Sequence, residues 1–206
     1  MKHTYFLRKS AAWAAILLLL GAASVSAQYG SASNPIPADW IEYQDKTEGF
    51  AVSFPTRPEE KLDKFSLSKG GPALTRHFYA AYGRDVAKGR YMVGSVTLPI
   101  APPANGTAVI TRKVFEQLMA KLKDSFELSM QAGGETGCYL GSPQDAFSGP
   151  HRGREYKLEG SGCPTASVRM FPTARRFYVV ATVGGSDPAF LRSFQILDSG
   201  ERLIVE

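Results

Sequence analysis

The side chains best suited to bond chemistry in this chain are few: His77 and His151, the thiols of Cys138 and Cys163, and scattered serines and carboxylates. A metal centre gathers three or four His, Cys or carboxylate ligands, usually at H-x-x-x-H or paired C-x-x-C spacing, and neither spacing occurs; no metal site is expected. A serine hydrolase of the α/β type frames its nucleophile as G-x-S-x-G, and Gly184-Gly185-Ser186 lacks the second framing glycine. Phosphate cradles are missing too, so Gly70-Gly71 and Gly133-Gly134 read as turn or cap glycines. Glu59-Glu60 pairs two carboxylates, but Arg57, Lys61, Asp63 and Lys64 around them make a solvated charged loop. What remains for catalysis is a site assembled in space, in which His77 or His151 meets a serine or Asp145 in a concave pocket. No catalytic residue and no cofactor is assigned.

Cys138 and Cys163 read as a structural pair. If Tyr139 to Phe147 folds back on Arg154 to Glu159 around Pro150-His151, the two thiols fall opposite each other where the hairpin opens, although Pro143 can insert a bulge and shift that register by one. The bond closes a loop of about 26 residues and stabilises the domain by about 3.5 kcal/mol in the chain-entropy model. A redox pair would want C-x-x-C spacing and a nearby histidine. Two free thiols are the other alternative.

The elements that position these residues are mostly strands. Phe50, Val52 and Phe54 alternate with Ala51 and Ser53 until Pro55 and Pro58 stop the run. Leu74 to Tyr82 and Tyr91 to Leu98 form an expected antiparallel pair. After Pro102-Pro103-Ala104-Asn105-Gly106 the period changes. Phe115, Leu118, Met119, Leu122 and Phe126 fall on one face of a helix of about 20 residues, with Lys113, Glu116, Lys121, Lys123, Asp124 and Glu127 opposite and Gly133-Gly134 ending it. Asn105-Gly106-Thr107 matches a glycosylation sequon but reads as the turn before that helix. Tyr139 to Phe147, Arg154 to Glu159, Ala166 to Phe171 and Phe177 to Val183 then make an antiparallel meander, and Ser186-Asp187-Pro188 opens a short closing helix through Phe194. Links this short exclude parallel winding. The expected fold is α+β, an antiparallel sheet of about six to seven strands with helices packed on it.

One constellation follows from that topology. Alternate turns of a meander lie at the same end of the sheet, so His151, Arg152 and Arg154 are expected near Arg175 and Arg176. Guanidinium forks match carboxylate, phosphate or sulfate, which makes this rim the expected contact for an anionic or protein partner. Glu155 and Asp187 are close enough in sequence to neutralise part of it.

The first residues carry a different message. Lys2, Arg8 and Lys9 precede the uncharged run Ala11 to Val25, and Val25-Ser26-Ala27 offers small residues before Gln28, the pattern of an export signal cut after Ala27. About 15 apolar residues reach about 22 Å, short of a roughly 30 Å hydrocarbon core, and no later stretch approaches a membrane span. The signal carries three cations of a chain whose formal net charge is +5. The mature net charge is then about +2, which gives no warrant for nucleic-acid binding; the basic rim also lacks interleaved aromatics. About 180 residues at 44% hydrophobic content suit one globular domain rather than a disordered or collagen-like chain. The expected organisation is a signal at 1–27, a flexible leader at 28–39, one α+β domain at 40–199 and a C-terminal tail at 200–206, with the product periplasmic or secreted.

Phe50-Ala51-Val52-Ser53-Phe54-Pro55 with Pro58, Gly153-Arg154-Glu155-Tyr156 and Arg176-Phe177-Tyr178-Val179-Val180 together form a pattern similar to exported bacterial domains that look like the PsbP family. The resemblance spans about Trp40 to Leu197 and implies an α-β-α sandwich. PsbP is an extrinsic photosystem subunit and a Ran-binding nuclear factor shares its fold, so the resemblance implies a non-catalytic binding role; no functional residue carries over. Three readings stay open: a binding or assembly module of the cell envelope, a hydrolase with a spatially assembled His/Ser/Asp site, and a small-ligand carrier whose cleft is lined by Tyr79, Tyr91 and Tyr178.

Overall fold

The computed structural model describes residues 35–66, 73–83, 89–98, 106–132, 137–184, 188–197 and 202–206. The expected signal, most of the leader, Asn105 of the sequon, Gly133-Gly134 and Ser186-Asp187 lie outside these. Asn34–Glu206 makes one compact unit.

Strands β1 (Ile41–Asp45) and β2 (Phe50–Phe54) form an antiparallel hairpin. Its turn closes on Gly49, whose φ of 72° is a left-handed conformation that a Cβ would disfavour. Pro55 follows β2 and ends it, as the sequence predicts. Strands β3 (Glu59–Ser66), β4 (Ala73–Tyr82) and β5 (Arg90–Thr97) come next, then β6 (Thr107–Ile110) and helix α1 (Arg112–Ala132). Beyond the helix lie β7 (Tyr139–Leu140), β8 (Gln144–Ser148), β9 (His151–Glu159), β10 (Ala166–Pro172) and β11 (Arg176–Val183). Helix α2 (Pro188–Ser193), β12 (Gln195–Ile196) and β13 (Arg202–Val205) complete the described elements.

The main sheet has eight strands in the order β3-β4-β5-β11-β10-β9-β7, with β8 also paired to β9. Every described pairing within it is antiparallel; β3–β4, β4–β5, β8–β9, β9–β10 and β10–β11 are joined by links too short to cross over, whereas β5 meets β11 across the excursion through β6, α1 and β7–β10. One face carries α1, whose Phe115, Met119 and Leu122 pack on Val168, Met170, Phe177 and Val179. On the other face Phe50, Val52 and Phe54 of β2 and Phe190 and Leu191 of α2 cover Tyr79, Val93, Tyr178 and Val180. Each wholly buried aromatic or aliphatic side chain contributes about 1.5–3 kcal/mol. The chain is therefore α+β and built on an antiparallel sheet, as expected.

Four details differ from the sequence reading. The second covering layer is largely strand: β1, β2 and β12 form a three-stranded sheet there, with only the six residues of α2 as helix. The charged stretch around Glu59-Glu60 is no loop but the edge strand β3, where the exposed charges of Glu59, Glu60, Lys61 and Lys64 discourage further pairing. The run from Tyr139 to Phe147 is broken at Gly141-Ser142-Pro143 into β7 and β8, since proline cannot donate to the ladder. Residues 202–205, expected as a tail, pair in parallel with β6.

At Gly153 an added Cβ would come 2.2 Å from the Met170 carbonyl oxygen and 2.5 Å from Phe171 Cδ1, so glycine there lets β9 approach β10 beneath Phe171.

Candidate functional site

The cysteines do pair: Cys138 and Cys163 form a disulfide with Cα atoms 5.7 Å apart. The register that brings them together is not the one the sequence suggested. The β8–β9 turn is the two-residue Gly149-Pro150, with Ser148 opposite His151, and beyond the break at Pro143 Tyr139 faces Glu159. Continuing that ladder would place Cys138 against Gly160, not Cys163. Cys163 reaches it because the chain curls through Gly160-Ser161-Gly162, with Gly160 at φ 129° and Gly162 at φ 79°. A Cβ on Gly160 would lie 2.8 Å from Cys163 Sγ, so the sulfur occupies the space that side chain would need.

The arginines divide between faces. The turns after β8 and β10 do share one end of the sheet, but side chains alternate along a strand. Arg152 and Arg154 point to the α1 face, where their guanidiniums lie 5.6 and 5.4 Å from the Phe115 ring centre. Arg154 is buried and ion-paired to Asp145 and Glu116. Arg152 Nη2 donates to both Asp145 oxygens at 3.3 and 3.2 Å. Arg176 points to the opposite face, where Nη2 donates to the Thr47 carbonyl at 2.9 Å, and Arg175 lies exposed in the turn. Arg152 and Arg154 are thus brought together with Asp145, and Arg176 stands apart from them.

Arg176 instead joins a polar cluster that the sequence reading missed. Asp45 starts the turn of the first hairpin, its Oδ1 accepting the amides of Thr47 and Glu48 at 2.8 Å each. That turn aims the Glu48 carboxylate down onto the main sheet, where β11, β5 and β4 present Tyr178, Ser95 and His77 side by side. Ser95 Oγ donates to Glu48 Oε2 at 2.8 Å, Tyr178 OH donates to the Glu48 carbonyl at 2.7 Å, and Arg176 Nε lies 3.9 Å from Glu48 Oε2. His77 sits between two acids, Nε2 3.5 Å from Glu48 Oε1 and Nδ1 3.5 Å from Glu60 Oε1. The available signal was Asp45-x-x-Glu48-Gly49 directly before an apolar strand, a turn that hides an acid.

A hydroxyl, an imidazole and an acid therefore meet, but in the wrong order for acyl transfer. A nucleophilic serine needs the imidazole to take its proton while the acid orients the imidazole. Here the carboxylate takes the middle place, both ring nitrogens face carboxylates, and Ser95 is 0% exposed. His151, at 2% exposure, faces Ser148 across its turn, and the Ser148 hydroxyl is held by the Phe194 carbonyl and the Ile196 amide. Tyr79, Tyr91 and Tyr178 are buried against Phe50, Phe190 and Phe194 and line none of the openings among the described residues.

Burial pushes the Asp45 carboxyl up, but hydrogen bonds from the Tyr79 hydroxyl (2.6 Å) and the Glu48 and Thr47 amides outweigh it, and the group titrates below its ordinary value. Glu155 follows the same pattern, burial being outweighed by Lys157 and Arg169. Burial also pushes the Tyr156 phenol up to about 12. A carboxyl depressed on folding contributes stability above its unfolded pKa, and loses that contribution as pH falls through its folded one. The urea midpoint is expected to hold from about pH 7 to 5 and to drop below about pH 4, less steeply in Asp45→Asn. A midpoint flat down to about pH 2, or an unaltered slope in the variant, would contradict this.

Among the described residues no group of three His, Cys, Asp or Glu gathers to hold a metal ion, and no helix is long and apolar enough to cross a membrane. Three openings stand out. A groove of about 470 Å³ runs between α1 and β7, lined by Glu116, Lys123, Tyr139, Pro143 and Glu159 among others. An apolar cavity of about 150 Å³ lies under Phe126 and Met130. One of about 270 Å³ is lined by Pro150, Arg152, Arg202, Leu203, Ile204 and Val205. Arg202 is the basic residue that the expectation of a tail concealed.

The architecture defines an α+β protein whose antiparallel sheet is covered on both faces. Among solved structures the chain is similar to the solution structure of cyanobacterial PsbP (CyanoP) from Synechocystis sp. PCC 6803, at 12% identity over 76% of this chain and 92% of that one, with a TM-score of 0.43. That is the family whose motifs the sequence resembles. No protein-family model and no curated protein matches the chain. The fold class stands on the strands and helices themselves, and function has to be read from side chains.

Proposed function

We propose that this chain is an exported, non-catalytic binding or assembly module, working in the periplasm or outside the cell and meeting an anionic or protein partner of the envelope through arginines. The observation that carries the reading is Ser95: the hydroxyl that stands beside an imidazole and an acid is buried and committed to Glu48. A cluster of this kind ties a hairpin to a sheet, and its hydroxyl is closed to a substrate. Pairing of both cysteines supports an oxidising compartment, in keeping with the signal pattern at 1–27. Arg152 and Arg154, stacked on Phe115, supply the assembled part of the basic rim, while Arg175 and Arg176 belong to another surface of the same end.

The test is a fluorophosphonate label together with a panel of chromogenic esters, phosphates and glycosides on the mature protein. No turnover and no label are expected, with His77→Ala and His151→Ala indistinguishable from the parent. Turnover lost in either histidine variant would overturn the reading.

A further inference from the structure

The apolar cavity of about 150 Å³ has a roof of Phe126 and Met130, a floor of Ala166, Val168 and Ala181, and one charged residue in its wall among the described residues, Arg90. Register accounts for the space. Val168 opposes Ala181 and Ala166 opposes Val183, so two alanines become diagonal neighbours on the α1 face, where longer side chains would have filled the room below the helix. Protein interiors are packed like molecular crystals, and few hold an empty volume larger than a water molecule. Apolar walls keep water out of such a space, and an engineered apolar cavity of about this size takes up benzene.

Arg90 stands where the cavity meets water. It is exposed, and it shares the α1 face with Met92, two residues further along β5. Its guanidinium carbon lies 5.7 Å from the centre of the Tyr82 ring, its register partner on β4, and that stacking holds the group against the sheet. Its N–H fork makes no ion pair or hydrogen bond with a described residue. Arg152, Arg154 and Arg169, by contrast, are each bound to a carboxylate.

We propose that this cavity binds a small carboxylic acid whose apolar body is about the size of a benzene ring. The body enters between Phe126, Met130 and the alanine floor, and the carboxylate is held by the Arg90 fork. Paired guanidinium donors match a carboxylate, but an exposed pair alone binds weakly, so burial of the body supplies the affinity and Arg90 selects the sign. Met92 and Met130, unbranched and flexible, adapt the walls to the guest. The site lies on the opposite face of the sheet from Tyr79, Tyr91 and Tyr178. It is also about 20 Å along β9 from Arg152, because Leu158 in its wall is six residues further on. It is thus a second site, separate from the arginines of the rim.

The probe is phenylacetate, titrated into the mature disulfide-bonded protein by calorimetry and followed through the Met92 and Met130 methyl resonances. Saturable one-to-one binding is expected, with both methyl signals shifted by the bound ring. Arg90→Gln, a change at an exposed position, is expected to weaken phenylacetate by roughly tenfold or more and to leave its neutral analogue phenylacetamide unchanged. Acetate, a head group without a body, is expected to bind at least about tenfold more weakly than phenylacetate. Ala181→Leu fills the cavity and is expected to abolish binding of both aromatic probes. Displacement of phenylacetate by an equal concentration of acetate would reduce the site to a surface cation and overturn the proposal. Phenylacetate that binds no tighter than phenylacetamide, or that is indifferent to Arg90→Gln, would leave an apolar void without a head-group site and overturn it equally. Saturation without methyl shifts would put the ligand elsewhere, and a folded parent that binds neither aromatic probe would show the void to be sealed; both outcomes defeat the inference. The binding-module reading is judged separately, by turnover in the panel of chromogenic substrates.

Discussion

Serine in place of either Cys138 or Cys163 is expected to lower the unfolding free energy by about 3.5 kcal/mol. The two residues are 25 apart in sequence, and the bond removes the freedom of that whole segment from the unfolded chain. At this end of the sheet β7 contributes two residues, with Leu140 in the core and its amide on Glu127, while Gly160-Ser161-Gly162 carries no side chain able to fill a core. The check is a urea titration of Cys163→Ser against the parent, repeated on the parent with reductant. Both should shift the midpoint alike without changing its slope. A variant as stable as the parent would show that the bond is ornamental, and a variant effect without a reductant effect would point to strain in the serine background.

Glu48→Ala is expected to cost about 3 kcal/mol, because the carboxylate accepts from the buried Ser95 hydroxyl and lies within ion-pair distance of His77 and Arg176 on two further strands. Its loss leaves the wholly buried Ser95 hydroxyl without its acceptor and takes the Glu48 carboxylate away from the Arg176 guanidinium, 12% exposed. Glu48→Gln, which keeps an acceptor for Ser95, is expected to cost less. Chemical denaturation measures both. Two variants within about 0.5 kcal/mol of the parent would mean that the hairpin is held by Phe50 and Phe54 alone.

How legible all this was in the sequence depended on whether one residue or two elements decided the outcome. The stripe of Phe115, Met119 and Leu122 named its own buried face, and the alternation in β2, β4 and β5 did likewise, because burial on one side of an element is a local pattern. The disulfide was legible as a pairing and misread as a geometry: opposed strands suggested it, and a glycine-rich curl delivered it. The arginines converge only in part, for a reason of parity. Turns at the same end of a meander are close, yet Arg154 and Arg176 stand on strands whose register sends them to opposite faces. Charge misled at β3, where alternation of Glu, Lys and Asp marks an edge rather than a loop. The Glu48 cluster and the opening beside β13 were hidden because each joins segments far apart in the chain, Glu48 to Ser95 and Arg202 to Arg152, and no window of sequence contains both partners.

Strand β9 has one consequence for engineering. It begins at the arginines and ends just before the sulfur cross-link, and at about 3.3 Å per residue the two features lie more than roughly 20 Å apart. The cross-link thus lies at one end of β9 and the arginines proposed to meet a partner at the other. Changes at such a distance combine nearly independently, so the cross-linked pole can be reinforced, labelled or tethered to a surface while the opposite pole stays available to whatever it meets.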